Sequence, residues 1–142
     1  RTLSANQFIS FFLAELEPEE GLLRYVNAGH NPPMKLSASG DVERLMGSGP
    51  VLGVVPGVNY PAQETILAPG DTLLLYSDGA TESLNTVGEE FGEERLIACL
   101  KTVTRLESEA GLTRLEESIL GFCGEAPRHD DITLMLLRRM LP

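Results

Sequence analysis

Histidine and cysteine are scarce in this chain, two of each among 142 residues. No CxxC or other metal-ligand spacing occurs, and two cysteines are too few for a disulfide scaffold. Cys99 and Cys123 each fall on or beside the apolar stripe of a helical pattern, so they read as buried thiols of a protein kept in a reducing cytosol. A nucleophilic triad would have only His30 and His129 to draw on. No GxSxG elbow is present, and neither cysteine has electropositive neighbours in sequence. Basic residues are also few: 11 Lys and Arg against 21 Asp and Glu give a net charge of −10. Such a surface repels polyanions, which argues against a nucleic-acid module, while it can concentrate divalent cations or basic partners. No run approaches the ~20 apolar residues of a membrane span. The nearest, Phe8 to Leu16, is half that and reads as a core strand, and no signal-peptide pattern is visible. Gly47-Ser48-Gly49-Pro50-Val51-Leu52-Gly53 is not a phosphate cradle. Its spacing is not GxGxxG, Pro50 removes a donor, and no helix follows.

What is there suits one domain with a substantial core: 42% apolar and 23% charged residues in a single stretch without repeats or linkers. Phe8 to Ala14 is apolar on both alternating faces, as for a central strand covered on two sides. A Pro/Gly turn at Glu17-Pro18-Glu19-Glu20-Gly21 then returns the chain through Leu22 to Ala28, so 8–28 reads as a hairpin. Short strands follow at Met34 to Ala38 and Val42 to Leu45. The glycine-rich, apolar 46–60 stretch reads as an ordered loop on the body of the domain. Gln63 to Leu67 and Thr72 to Ser77 are strands. Leu96, Ile97, Leu100 and Val103, then Leu112, Leu115, Ile119 and Phe122, mark two helices. A last apolar strand spans Asp131 to Leu137. Strands, two helices and a strand do not alternate as βαβα, so the order fits a mainly antiparallel α+β fold with two sheets face to face.

The chemistry lies at two strand ends. Leu73-Leu74-Leu75-Tyr76-Ser77 delivers Asp78-Gly79, and Asp130-Asp131 opens Ile132-Thr133-Leu134-Met135. Asp-Gly is a common hairpin turn, but Ala80-Thr81-Glu82-Ser83-Leu84 does not begin a return strand. Adjacent carboxylates at the mouth of an apolar strand repel each other unless a cation neutralises them. Converging carboxylates without a Cys/His cluster form an oxygen-rich site for Mg²⁺ or Mn²⁺. His30, in the Gly29-His30-Asn31-Pro32-Pro33 break, reads as part of a turn.

Five segments in order resemble one family: Tyr25-Val26-Asn27-Ala28-Gly29-His30-Asn31-Pro32-Pro33, Gly49-Pro50-Val51-Leu52-Gly53, Leu75-Tyr76-Ser77-Asp78-Gly79-Ala80-Thr81-Glu82, Gly88-Glu89-Glu90-Phe91-Gly92-Glu93-Glu94-Arg95-Leu96 and His129-Asp130-Asp131-Ile132-Thr133. They are similar to the SpoIIE/RsbU-type bacterial protein serine/threonine phosphatases, a branch of the metal-dependent (type 2C, PPM) phosphatases. The resemblance implies an α+β fold: an antiparallel β-sandwich flanked by helices, with a dinuclear Mn²⁺ or Mg²⁺ centre at one end. It implies Asp78 and Asp130 as catalytic metal ligands, Gly79 beside the first, and Asp131 supporting the second. It also implies a metal-activated water that hydrolyses phosphoserine or phosphothreonine on a partner resembling an anti-sigma-factor antagonist. The setting would be the cytoplasm, or the cytoplasmic part of a larger sensor protein.

One family motif is absent, the glycine-rich, Gly-Asp-containing strand-turn that carries the first metal ligand near the N-terminus. Residues 1–142 are therefore expected to be a single truncated domain, its N-terminal part missing and its activity alone weak or nil. A sheet edge left unpaired there invites self-association. The rival expectation is a non-catalytic relative that uses the fold to bind a partner protein.

Overall fold

The computed structural model describes residues 7–104, 106–128 and 130–140. In chain order the elements are β1 (Phe11–Glu17), β2 (Leu22–Ala28), β3 (Met34–Leu36), β4 (Val42–Arg44), β5 (Gln63–Ile66) and β6 (Thr72–Tyr76), then α1 (Asp78–Thr81), α2 (Gly92–Val103), α3 (Ser108–Cys123) and β7 (Leu134–Arg138). They form a three-stranded sheet, β1-β2-β5, and a four-stranded sheet, β4-β3-β6-β7. Every ladder within them is antiparallel. The expected α+β architecture with facing sheets is therefore present.

Strand alternation explains the layering. On β6, Leu73 joins Leu23 and Tyr25 in the core between the sheets, with Phe12, Leu16 and Leu137 packed against it. The next residue, Leu74, faces the other way with Tyr76, Met34, Leu36 and Leu136, into a second core closed by Leu96, Leu100, Leu115 and Ile119. Each of these fully buried leucines contributes about 1.5–3 kcal/mol. The helical stripes run close to expectation, except that Gly111 and Cys123 lie at the centre of the α3 contact while Leu112 and Phe122 flank it.

Two expectations need correction. β1 is not a central strand covered on two sides. It pairs only with β2 among the described residues, and Phe11 and Leu13 on its outer face are 43% and 58% exposed. An apolar pattern reports which residues could be covered, but α2 and α3 pack on the other sheet. The last strand also begins later than expected, at Leu134, so Asp131, Ile132 and Thr133 form the lead-in. The 46–60 segment is the expected loop, held by the reciprocal Ile9–Leu52 backbone pair and by Ser48 donating to the Asn27 carbonyl. The opening residues 1–6 and His129 lie outside the described residues.

Arg138 and Arg139, at the end of β7, act as clamps. Arg138 Nη2 donates to the Val103 carbonyl at the C-terminus of α2, 2.8 Å away, where orphan carbonyls favour a cation. Arg139 donates to the Glu19, Glu20 and Leu67 carbonyls, fixing the β1–β2 turn against the end of β5.

Tyr76 links β6 to the helices. Its hydroxyl donates to Glu93 Oε1 at 3.1 Å, and Arg44 Nε and Nη2 donate to Glu93 Oε2 at 3.0 and 2.8 Å. Burial first, and the Glu93 charge second, hold the Tyr76 phenol well above its usual value of 10.0. The fold thus favours the neutral phenol. That contribution is whole below pH 10.0, where the unfolded chain would ionise, and is lost as pH climbs from there towards the raised folded value. Urea unfolding between pH 9 and 12 should therefore show stability falling more steeply for the native chain than for Tyr76→Phe, by on the order of 1 kcal/mol per pH unit. Parallel slopes would contradict this.

Candidate functional site

Where the β6–β7 ladder ends, one side chain changes the path of the backbone. The last ladder pair is Tyr76–Leu134. At the next position Ser77 N still donates to the Thr133 carbonyl at 3.0 Å, but the Ser77 carbonyl turns away to accept from Ala80 N at 3.0 Å, opening α1. The Ser77 hydroxyl replaces it, accepting from Thr133 N at 2.9 Å and donating to the Asp131 carbonyl at 3.1 Å. A hydroxyl has one donor and two acceptor sites, so it can make both bonds. Asp78 can then start a helix while the two strand ends stay joined.

Gly79 completes the junction. It is buried, and a Cβ built on it would lie 2.4 Å from the Asp131 carbonyl oxygen and 3.4 Å from Asp130 Cβ. Only glycine permits that approach. The structure therefore places Asp78, Gly79, Asp130 and Asp131 at one end of the β6–β7 pair. The three carboxylates are exposed, and Asp78 Oδ1 accepts from Gly79 N at 2.9 Å. Asp131 joins the contact through its carbonyl, and its carboxylate has no hydrogen-bond partner among the described residues.

A hollow of about 440 Å³ borders Asp130 and Asp131 beside Glu116 and Arg128, and two further hollows flank the junction. One, of about 250 Å³, is bounded by Gly79, Glu82, Glu90, Cys123, Arg128 and Asp130. The other, of about 200 Å³, is bounded by Gly29, His30, Asn31, Val51, Ser77 and Asp78. The carboxylates of Asp78, Asp130 and Asp131 are hard oxygen donors that suit a divalent cation, and the free Cys123 thiol also borders the hollow of about 250 Å³. In number the donors fall short: among the described residues, no three His, Cys, Asp or Glu side chains are grouped closely enough to hold an ion by themselves.

Sequence reasoning missed Ser77 and the position of His30. The signal for Ser77 was its place directly before Asp78. For His30 it was the Asn27-Ala28-Gly29-His30 turn, which is more than a break between strands. Asn27 is fully buried; its Oδ1 accepts from His30 N at 2.9 Å and its Nδ2 donates to the Leu45 carbonyl at 3.2 Å.

An antiparallel sheet pair, helices packed on one sheet and carboxylates at one sheet end define the class of fold found in type 2C phosphatases, and the comparisons agree. The SiaA-PP2C domain of Pseudomonas aeruginosa superposes with a TM-score of 0.83 at 25% identity, over 96% of this chain and 54% of that one. The family described as Stage II sporulation protein E (SpoIIE) matches residues 1–140, and the chain belongs to it. Protein IcfG of Synechocystis sp. is 30% identical over 93% of this chain and 21% of its own length. The phosphoserine phosphatase RsbU of Bacillus subtilis is 27% identical over 98% of this chain and 41% of its own. The chain thus spans well under half of either curated relative.

The junction makes a direct prediction. Gly79→Ala must push residues 130–131 away, at a cost of about 1–3 kcal/mol. Urea unfolding should show a lower midpoint for the variant. An unchanged midpoint would mean that the two segments are not in contact.

Proposed function

We propose that this chain supplies the Asp78 and Asp130 arm of a metal-dependent protein phosphatase acting on phosphoserine or phosphothreonine of a regulatory partner protein in bacterial signalling. The observation that carries the reading is the Gly79 contact with residues 130–131, in a chain of the SpoIIE family. RsbU, named as a phosphoserine phosphatase, supports the substrate class. A partner resembling an anti-sigma-factor antagonist, and a cytoplasmic setting, belong to the same proposal.

Asp78 and Asp130 would hold a divalent cation, Mn²⁺ or Mg²⁺, with Asp131 supporting Asp130 from behind. Bound there, the cation supplies an activated water at neutral pH and offsets charge on the phosphoryl oxygens. The chain's own part is positional. Ser77 and Gly79 fix the two carboxylate-bearing segments relative to each other, so the site needs little reorganisation when a ligand arrives.

A second reading, a non-catalytic module that binds a partner protein, is favoured by the absence of a three-ligand group among the described residues. The experiment that separates them is hydrolysis of p-nitrophenyl phosphate and of a phosphoserine peptide with Mn²⁺, using the 142-residue chain and the same residues in their native sequence context. The phosphatase reading expects turnover in the native context, weak or none in the 142-residue chain alone. In that context EDTA should abolish turnover, and Asp78→Asn or Asp130→Asn should reduce it on the order of 100-fold or more. Turnover indifferent to EDTA and to both substitutions would contradict it, and no turnover in either context would leave the binding module.

A further inference from the structure

Among the described residues, one arginine is left without a partner. Arg24, Lys35, Arg44 and Arg114 each form an ion pair with a glutamate. Arg95, Arg138 and Arg139 donate to backbone carbonyls. Lys101 has no such bond but sits in the last turn of α2, where the helix dipole favours a cation. Arg128 is exposed and has neither an ion pair nor a hydrogen bond among the described residues.

The place of Arg128 makes that freedom informative. It stands two residues before Asp130 and borders both the hollow of about 440 Å³ and the one of about 250 Å³, each of which reaches Asp130. It is the one lysine or arginine on either wall, whereas Glu82, Glu90, Glu116 and Asp131 line them with negative charge. The hollow beside Asp78 has no lysine or arginine in its wall. Arg128 therefore lies on the Asp130 flank of the junction. Pro127 directly before it limits the backbone, and Ala126 N donates to the Cys123 carbonyl at 3.1 Å, so the segment leaves the end of α3 on a restricted path. An anionic segment approaching this flank meets carboxylates at every other charged position of both walls, and Arg128 alone offsets its charge. A guanidinium presents its donors in a planar fork that matches a carboxylate in bidentate fashion.

We propose that Arg128 is a specificity-determining residue, which pairs with an acidic side chain of the partner protein next to its phosphorylated residue. This rests on the phosphatase reading for the position of the phosphoryl group, and on the charge layout for the contact. In that reading the cation held by Asp78 and Asp130 offsets the phosphoryl charge, and the guanidinium on the Asp130 flank is left for a neighbouring carboxylate. The role is recognition alone: no bond is made or broken at Arg128. The partner is then a protein with aspartate or glutamate beside its phosphosite.

The test uses peptides carrying the non-hydrolysable phosphonate analogue of phosphoserine, flanked by Asp or by Asn, and the chain in its native sequence context with Mg²⁺. Fluorescence anisotropy should show the Asp-flanked peptide binding about three- to tenfold more tightly, an advantage that shrinks as salt is raised. Arg128→Gln should remove the advantage, Arg128→Lys should keep part of it, and Arg128→Glu should reverse the order. Arg128 is exposed, so the three variants should keep the urea midpoint of the native chain.

Equal affinity for the two peptides overturns the proposal, as does an advantage that persists in Arg128→Gln. A loss in Arg128→Gln that is the same for both peptides assigns the guanidinium to the phosphoryl group itself and overturns the flank contact. A native chain that binds neither peptide overturns it too. The phosphatase reading is decided separately, by hydrolysis of p-nitrophenyl phosphate and its loss in Asp78→Asn. Turnover without a flank preference keeps the enzyme and removes this role of Arg128. A flank preference without turnover keeps the contact, in a binding module.

Discussion

The contact between the Gly79 backbone and the carbonyl of Asp131 is the constraint on which the rest depends. Two apolar strands pair antiparallel through the middle of the domain, and their paired ends each lead to an aspartate. A pair of strands alone would continue as a ladder or splay apart. Here the Ser77 hydroxyl stands in for its own carbonyl, so one strand turns into a helix without releasing the other. The missing side chain at Gly79 then lets the two segments close to a distance that a methyl group would forbid. Each part is inexpensive by itself. Together they fix the segments that carry Asp78, Asp130 and Asp131 relative to each other, the preorganisation that the proposed cation site would need.

The rest of the chain keeps that end of the sheet in register. β6 is buried on both faces, against the first sheet through Leu73 beside Leu137 and against the helices through Leu74 beside Leu136. A strand so enclosed cannot slip by one residue without turning its whole side-chain pattern inside out. Polar staples act at the periphery. Asp71, itself buried, accepts from Ala38 N and Ala68 N and ties the β3 end to the β5–β6 turn. Arg138 and Arg139 fix the helix end and the first hairpin to the last strand. The first sheet is held less completely, since its outer face carries Phe11 and Leu13 in contact with solvent.

The succession of strands and helices along the chain and the two aspartate-bearing ends were legible because they depend on local pattern: apolar runs, a 3.6-residue stripe and carboxylates at the boundaries. What was not legible depends on partners distant in the chain. The pattern of β1 says that both its faces could be buried, and it contains nothing about which sheet the helices cover. Ser77 is an ordinary serine until Thr133 and Asp131 lie opposite it. His30 reads as a turn residue because its relation to Asp78 exists only after β2 and β6 enter facing sheets. Arg138 and Arg139 look like a polar stop at a strand end, and their carbonyl partners come from three separate loops and a helix terminus.

In the proposed site Asp78 and Asp130 would hold one and the same ion. A double-mutant cycle in Mn²⁺ affinity, measured by calorimetry on the native chain, Asp78→Asn, Asp130→Asn and the double variant, tests it directly. A shared ion predicts that each single change weakens binding and that the double change weakens it by clearly less than the sum of the two. Strictly additive losses, or Mn²⁺ binding untouched by either substitution, would contradict it: the two aspartates would then be neighbours without a common ligand.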